Sequence, residues 1–424
     1  MRPARARQRA VCIAAQATPA DLLELEELLR TAGVAVVGTL SQTREHPHPR
    51  SYLGSGKLVE LKELVATLDA NVVACDDELS PRQERTLEEA LGVAVIDRTA
   101  IILDIFARHA NSAEGKLQVE LAQLEYNLAR MRGLWTHLER LGGGVGTRGP
   151  GEAQIETDRR LARNRISALR RRLADVQGTR QVMRRERERS QIPQVALAGY
   201  TNAGKSSLLG ALTGAEVSVA DRLFHTLDPT TRMLAVNGRG YLITDTVGFI
   251  RKLPHQLVDA FAATLEETRR AELVIHVVDA SADESELDPM IAAVDGVLEE
   301  IGAGDVPRLL ALNKADLLDE EARADASNGR RDALLVSAES GEGIEELRER
   351  IDATFVRRLE PVELLVPYSE GGSLAELHAL AGELHREETV NGVLVTALLP
   401  AASAARFARY ATAAARRNGS AADT

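Results

Sequence analysis

Cysteine is almost missing from this chain. Its 424 residues include two, Cys12 and Cys75, each in or beside an apolar run and without C-x-x-C spacing. That pattern leaves no disulfide framework and predicts two buried, reduced thiols in a cytoplasmic protein, with peripheral membrane association as the further possibility. Nine histidines form no ligand cluster, and His46-Pro47-His48-Pro49 reads as a loop. Aromatic residues amount to only 3%. No apolar run approaches the length of a bilayer span, so no transmembrane helix is expected. The opening Met1-Arg2-Pro3-Ala4-Arg5-Ala6-Arg7 imitates the start of a signal peptide. The apolar stretch after it is too short, and an acidic helix pattern from Asp21 to Arg30 follows, so a basic tail leading into a strand is the expectation.

What is present is globular in character: 44% apolar and 27% charged residues, over a length that accommodates two to four domains. The net charge of −11 argues against nucleic acid as a partner, but its distribution does not. Between Arg148 and Arg189 there are 13 arginines against 6 acidic residues. A basic segment on an acidic body points to one surface aimed at a polyanion, against the plainer reading of a solvated helix with internally paired arginines.

The segment Gly199-Tyr200-Thr201-Asn202-Ala203-Gly204-Lys205-Ser206 fits G-x-x-x-x-G-K-S/T. It follows the apolar run Ile192 to Ala198 and precedes Ser207-Leu208-Leu209, the opening of a helix. Backbone N–H groups at a helix start carry partial positive charge and wrap an anion. Glycines at both ends of the loop let the main chain approach phosphates. Lys205 is placed to reach the β- and γ-phosphates, and the Ser206 hydroxyl to ligate Mg²⁺.

The base is read further along. Asp245-Thr246-Val247-Gly248 fits D-x-x-G, whose carboxylate holds Mg²⁺ through water and whose glycine amide reaches the γ-phosphate. Asn313-Lys314-Ala315-Asp316 fits N-K-x-D. The Asp316 carboxylate can accept from both the N1–H and the exocyclic amine of guanine, and adenine offers no such pair. A buried carboxylate left unpaired costs about 1–3 kcal/mol or more, which is strong discrimination. Ser337-Ala338-Glu339 resembles the S-A-x turn whose backbone contacts guanine O6. GTP and GDP with Mg²⁺ are therefore the expected ligands. A second Mg²⁺ ligand is expected within Phe224-His225-Thr226-Leu227-Asp228-Pro229-Thr230-Thr231, where Thr226, Thr230 and Thr231 compete. Phe249 stands where many GTPases place a water-orienting glutamine, so intrinsic hydrolysis is expected to be slow and to depend on a partner. Asn202 either shapes the phosphate loop or holds K⁺ beside the phosphates.

Four parts are expected. Residues 1–110 alternate short apolar runs (Val11–Ala15, Val34–Val37, Val72–Cys75, Val93–Ile96) with helical patterns, predicting a parallel α/β domain. Gly54-Ser55-Gly56-Lys57 within it lacks phosphate-loop spacing and reads as a loop that starts a helix. Residues 111–191 carry two helical patterns, Ser112–Leu141 and about Ile155–Gln191, predicting an antiparallel hairpin. Their connection, Gly142 to Gly151, holds six glycines and Arg148, and reads as a functional tip. Residues 192–358 predict a doubly wound P-loop GTPase domain with ligands at the strand C-terminal ends. Residues 359–424 predict a small α+β domain, with a strand at Val362–Pro367, helix at Leu374–Glu383, strand at Gly392–Leu399 and helix at Ala402–Ala415.

Three runs together resemble the HflX family of bacterial GTPases: Gly142 through Arg160, Tyr52-Leu53-Gly54-Ser55-Gly56-Lys57, and Phe224 through Thr231. The resemblance covers nearly the whole chain. It implies that Thr226 is the Mg²⁺ ligand beside Ser206, that Phe224 through Thr231 form the first switch with Phe224 to Asp228 at the nucleotide, and that Lys205, Thr226 and Gly248 take part in hydrolysis. It further implies binding to the large ribosomal subunit; a monomer without DNA sequence recognition is the accompanying expectation. The family splits stalled or stressed ribosomes, its glycine-rich loop reaching the peptidyl-transferase region. The alternatives are an RNA-remodelling protein using ATP through the N-terminal domain, and a nucleotide-gated adaptor with negligible turnover.

Overall fold

The computed structural model describes residues 8–15, 19–44, 46–131, 150–190, 192–215, 223–224, 229–251, 262–328, 330, 332–382 and 384–412. The chain divides into two compact units. The first takes the described parts of Met1–Glu186, Val219–Pro229 and Thr246–Glu266, and the second those of Arg187–Ser218, Thr230–Asp245 and Glu267–Thr424.

In the first unit, strands β1 (Arg9–Ala14), β2 (Ala35–Ser41), β3 (Val72–Cys75) and β4 (Ala94–Asp97) form a parallel sheet in the order β2-β1-β3-β4. Ala10 to Ala14 and all of β3 are buried, which is why these strands read as unbroken apolar runs rather than alternating ones. Both cysteines lie in this core, and burial pushes the Cys12 thiol up to about 12. The crossovers are α1 (Pro19–Thr31), α2 (Ser55–Thr67) and α3 (Pro81–Leu91). Helix α3 carries its start and stop signals locally: Ser80 makes a capping box with Gln83, Pro81 follows, and Gly92 closes it at φ 71°.

Helix α4 (Arg98–His109) begins at Asp97, whose Oδ1 caps the Ala100 amide at 2.9 Å. The same carboxylate accepts from Tyr126 Oη at 2.7 Å, from Arg130 Nη2 at 2.5 Å and from the Leu79 amide at 3.1 Å. Tyr126 and Arg130 belong to α5 (Ala113–Met131), and Arg130 lies 3.3 Å over the Tyr126 ring. A fully buried carboxylate thus finds four donors, and α5 is tied to the end of the sheet.

Helix α6 runs from Pro150 to Ser190, starting earlier than its apolar spacing indicated because Pro150 suits a first helical position. Ion pairs Arg165–Glu120 and Arg170–Glu125, both 2.7 Å, link it to α5. Of the expected tip, Gly142 to Gly151, residues 142–149 with Arg148 lie outside the described residues, whereas Pro150 and Gly151 belong to the first turn of α6.

In the second unit, β5 (Gln194–Gly199), β6 (Thr230–Val236), β7 (Arg239–Asp245), β8 (Leu273–Asp279), β9 (Arg308–Asn313) and β10 (Leu334–Leu335) form one sheet in the order β10-β9-β8-β5-β7-β6. All pairings are parallel except that of the edge strand β6 with β7. Helices α7 (Lys205–Thr213), α8 (Ala262–Arg270, of which Glu267 to Arg270 fall in this unit), α9 (Glu284–Glu300), α10 (Glu320–Ser327) and α11 (Ile344–Val356) lie between these strands in the chain. This is a doubly wound α/β sheet with one antiparallel edge strand.

Beyond it, β11 (Leu359–Val366), β12 (Leu384–Thr389) and β13 (Gly392–Pro400) form an antiparallel sheet in the order β11-β13-β12, with α12 (Gly371–Ala381) and α13 (Ala401–Phe407). Leu364, Leu377, Val395, Leu399 and Phe407 make its core. The structure departs from expectation at three places here. The helix read as Leu374–Glu383 ends at Ala381, and β12 was not anticipated, because its sequence, Leu-His-Arg-Glu-Glu-Thr, is an exposed polar edge without apolar alternation. The last helix was read to Ala415 but stops at Phe407, where a 3₁₀ turn, Ala408–Tyr410, seats Tyr410 in the core.

Candidate functional site

Strand β5 delivers the chain into the phosphate loop, and two glycines there have no substitute. A Cβ on Gly199 would sit 2.1 Å from the Val277 carbonyl oxygen of the neighbouring strand. Gly204 adopts φ 86°, and a Cβ there would sit 2.2 Å from Asn313 Nδ2. Asn202 takes a left-handed φ of 62°, and its side chain is exposed. Gly204 opens α7, whose first residues are Lys205 and Ser206.

Lys205 is buried, and its Nζ donates to the carbonyls of Gly199 at 3.0 Å and Tyr200 at 2.7 Å. Desolvation pulls its pKa down to about 8, with the Asp245 charge acting the other way. Ser206 Oγ donates to Asp245 Oδ2 at 2.6 Å. The two hard oxygens lie side by side at the mouth of the phosphate loop, the donor type that Mg²⁺ takes from a nucleotide-binding protein. Among the described residues no group of three or more His, Cys, Asp or Glu gathers to cage a metal by itself. The strand register places Asp245 opposite Leu197 on β5 and opposite Thr230 on β6.

At the other end of the site, Asn313 closes β9. Its Nδ2 donates to the Ala203 carbonyl at 2.8 Å, and its Oδ1 accepts from the Ala338 amide at 3.1 Å. One carboxamide joins the phosphate loop, the N-K-x-D box and the S-A-x turn. Lys314 sits at φ 66° with Nζ 2.6 Å from Asp279 Oδ2. Ala315 is buried and donates to the Val336 carbonyl at 3.1 Å. Asp316 Oδ1 accepts from Ser337 Oγ at 2.5 Å, while Ser337 Oγ also accepts from the Ser340 amide at 3.0 Å. Asp316 is exposed rather than buried, so a base stacked there has to supply the desolvation that makes its selectivity strong. Glu339 is exposed too.

The structure therefore brings together Gly199 to Ser206, Asp245, Asn313 to Asp316 and Ser337 to Glu339 at the C-terminal ends of β5, β7, β9 and β10. Thr246, Val247 and Gly248 follow directly on Asp245. His225, Thr226, Leu227 and Asp228 lie outside the described residues, whereas Phe224 is buried at φ 59°. Of the rival threonines, Thr231 shares a hydroxyl hydrogen bond of 2.9 Å with Thr244 across the β6–β7 ladder, and Thr230 is in the same strand as Thr231. Asp279 was missed. Its only signal in the sequence was its place at the end of the apolar run Leu273 to Val278. In the N-terminal region Gly54 precedes α2, and Lys57 pairs with Glu60.

Three family profiles match in succession: the GTP-binding GTPase N-terminal region over residues 19–107, the GTP-binding GTPase middle region over 109–187, and the 50S ribosome-binding GTPase over 194–314. The GTPase HflX of Caldanaerobacter subterraneus subsp. tengcongensis is 48% identical over 371 residues, covering 87% of this chain and 85% of that one. The chain belongs to the HflX family. The GTPase HflX of Escherichia coli K12 is also 48% identical, over 354 residues and 83% of each chain. A GTP-binding protein of Sulfolobus solfataricus, solved in complex with GDP, is 26% identical with a TM-score of 0.43, over 82% of this chain and 98% of that one. The chain is a GTPase, and its nucleotides are GTP and GDP.

Proposed function

We propose that this GTPase binds the large ribosomal subunit in its GTP form and promotes separation of the subunits of stalled or stressed ribosomes. The observation that carries the reading is the long helix α6. Its exposed side chains include Arg160, Arg163, Arg171 and Arg172, beside Arg165 and Arg170, which pair with Glu120 and Glu125 of α5, on a chain whose net charge is −11. Such a concentration of arginine suits rRNA phosphates. The match of residues 194–314 to a profile described as a 50S ribosome-binding GTPase supports the same partner. Arg148 and the glycine-rich segment 142–151 are assigned to contact with the same rRNA.

Within the site, the amides of Gly199 to Ser206 cradle the phosphates and Lys205 supplies charge to the β- and γ-groups. Ser206 and Thr226, with Asp245 acting through water, would hold Mg²⁺, which when bound would supply positive charge to the phosphates. Gly248 gives its amide to the γ-phosphate, and Phe224 to Asp228 are assigned to nucleotide binding. Asp316 reads the guanine edge, Lys314 and Asn313 hold that loop, and Ser337 to Glu339 face O6. K⁺ beside Asn202 is part of the proposal, tested by comparing hydrolysis in KCl and NaCl. Phe249 gives no hydrogen bond to water, so ribosome contact is expected to accelerate a slow basal rate. The four parts are 1–110, 111–191, 192–358 and 359–424, acting as a monomer in the cytoplasm. Among the described residues no helix is long and apolar enough to cross a membrane.

The test is light scattering of intact ribosomes mixed with the protein and a slowly hydrolysed GTP analogue. Dissociation supports the proposal. Unchanged scattering with the analogue, while the protein still binds the large subunit, refutes subunit separation.

A further inference from the structure

The segment after Asp245 is gripped by two charged side chains from the N-terminal part of the first unit. The Arg251 amide donates to Glu24 Oε1 at 3.2 Å, and Arg98 Nη2 donates to the Arg251 carbonyl at 2.9 Å. Both backbone groups of one residue are thereby held. Glu24 and Arg98 also pair with each other, and Arg98 Nη1 donates to Asp76 Oδ1 at 2.8 Å. The side chains of Arg98 and Asp76 are each 3% exposed and that of Glu24 is 15% exposed, so these contacts work at low dielectric. Between Gly248 and Arg251 stand Phe249 and Ile250, both buried. A short, packed spacer joins the clamp to the Gly248 amide.

We infer that Glu24 and Arg98 are positioning residues for GTP hydrolysis. The inference rests on the reading of Gly248 as the γ-phosphate donor. Phe249 offers no hydrogen bond, so what this segment contributes to the reaction is main chain. A main-chain donor helps only when it is held where charge develops, and small displacements are costly. Asp76 alone balances the Arg98 charge. The second carboxylate, Glu24, is what reaches the segment. The other flank is anchored on the same unit: the Leu223 amide donates to Thr31 Oγ1 at 3.3 Å, and Phe224 meets the Phe106 ring edge-on at 4.6 Å. The N-terminal region thus does for this enzyme part of what a hydrogen-bonding side chain in place of Phe249 would do.

The experiment is single-turnover GTP hydrolysis by the full chain without ribosomes, with GDP affinity measured in parallel. Glu24→Ala leaves the Arg98–Asp76 pair in place and is expected to slow hydrolysis about tenfold while GDP affinity stays within about twofold. Glu24→Gln, which keeps an acceptor for the Arg251 amide, recovers part of the rate. Asp104→Asn, which breaks the exposed Arg108–Asp104 pair, changes neither quantity. A Glu24→Ala rate equal to or above that of the parent overturns the clamp, as does a loss of GDP affinity that matches the loss of rate. Gly248→Ala at the parent rate overturns the reading of Gly248 itself. An inactive Gly248→Ala beside a fully active Glu24→Ala overturns the clamp alone. In the unaltered protein, amide exchange at Arg251 is expected to be slower with GDP and aluminium fluoride than with GDP; equal exchange contradicts the proposal.

Discussion

Asn313 donates through Nδ2 to the carbonyl of Ala203 at 2.8 Å, 110 residues away in the chain. With the return bond from the Ala338 amide, this buried carboxamide fixes the distance between the part of the site that takes phosphate and the part that takes the base. Removing it with Asn313→Ala leaves buried partners unsatisfied, at about 1–3 kcal/mol for each. GDP affinity is expected to fall about 10- to 100-fold. Calorimetric titration checks it, and affinity within twofold of the parent contradicts the role.

Lys205 makes nucleotide affinity depend on pH. Burial holds its pKa near 8 in the structure, and a bound triphosphate favours the charged form. Below about 8 the side chain is already protonated and binding takes up no proton. Above that value binding has to be accompanied by protonation, so affinity falls as pH rises. Titrations in buffers of different ionisation enthalpy are expected to report proton uptake at pH 9 and little at pH 7. Uptake equal at both values contradicts the depressed pKa.

Asp316→Asn exchanges an acceptor for a donor at the purine edge. Guanine presents an amine there and xanthine presents a carbonyl. The expected outcome is a loss of GDP affinity of about 100-fold and a gain for the xanthosine nucleotide, since a mispaired polar group costs more than a missing one. Competition binding decides it; retained preference for guanosine refutes the assignment.

His276, in the middle of β8, gives the second unit an acid-sensitive core. Burial pulls its pKa to about 4, against the attraction of Asp295 at 3.7 Å, and Nε2 has no hydrogen-bond partner among the described residues. The unfolded chain takes a proton near 6.5, whereas the folded chain does so only near 4. Stability therefore drops as pH falls through that window, by up to about 3 kcal/mol. Denaturant unfolding of His276→Leu is expected to show a flatter dependence between these values. A slope unchanged from the parent shows that the acid sensitivity lies elsewhere.

Much of the site was legible because each nucleotide box sits at the end of a buried strand, where an apolar run of local residues stops at a polar one. Asp245 and Asn313 are such endings. The four parallel strands of the first unit were legible for the same reason. Three things were not. Strand β12 has no apolar face in its own sequence and owes its pairing to β13. Asp279 became recognisable only when the register of β8 against β9 brought it to Asn313 and the adjoining Lys314. The clamp on Arg251 joins Glu24, Arg98 and Arg251, residues separated by up to 227 positions, and no local pattern marks such a meeting.

Co-sedimentation of the purified protein with large ribosomal subunits, in GDP and in a slowly hydrolysed GTP analogue, tests the central claim most directly. The account predicts that the protein pellets with the subunit in the analogue, that it remains in the supernatant in GDP, and that binding weakens when Arg160, Arg163 and Arg171 are replaced together by glutamine. Failure to pellet in either nucleotide, by a protein shown to bind both, contradicts it.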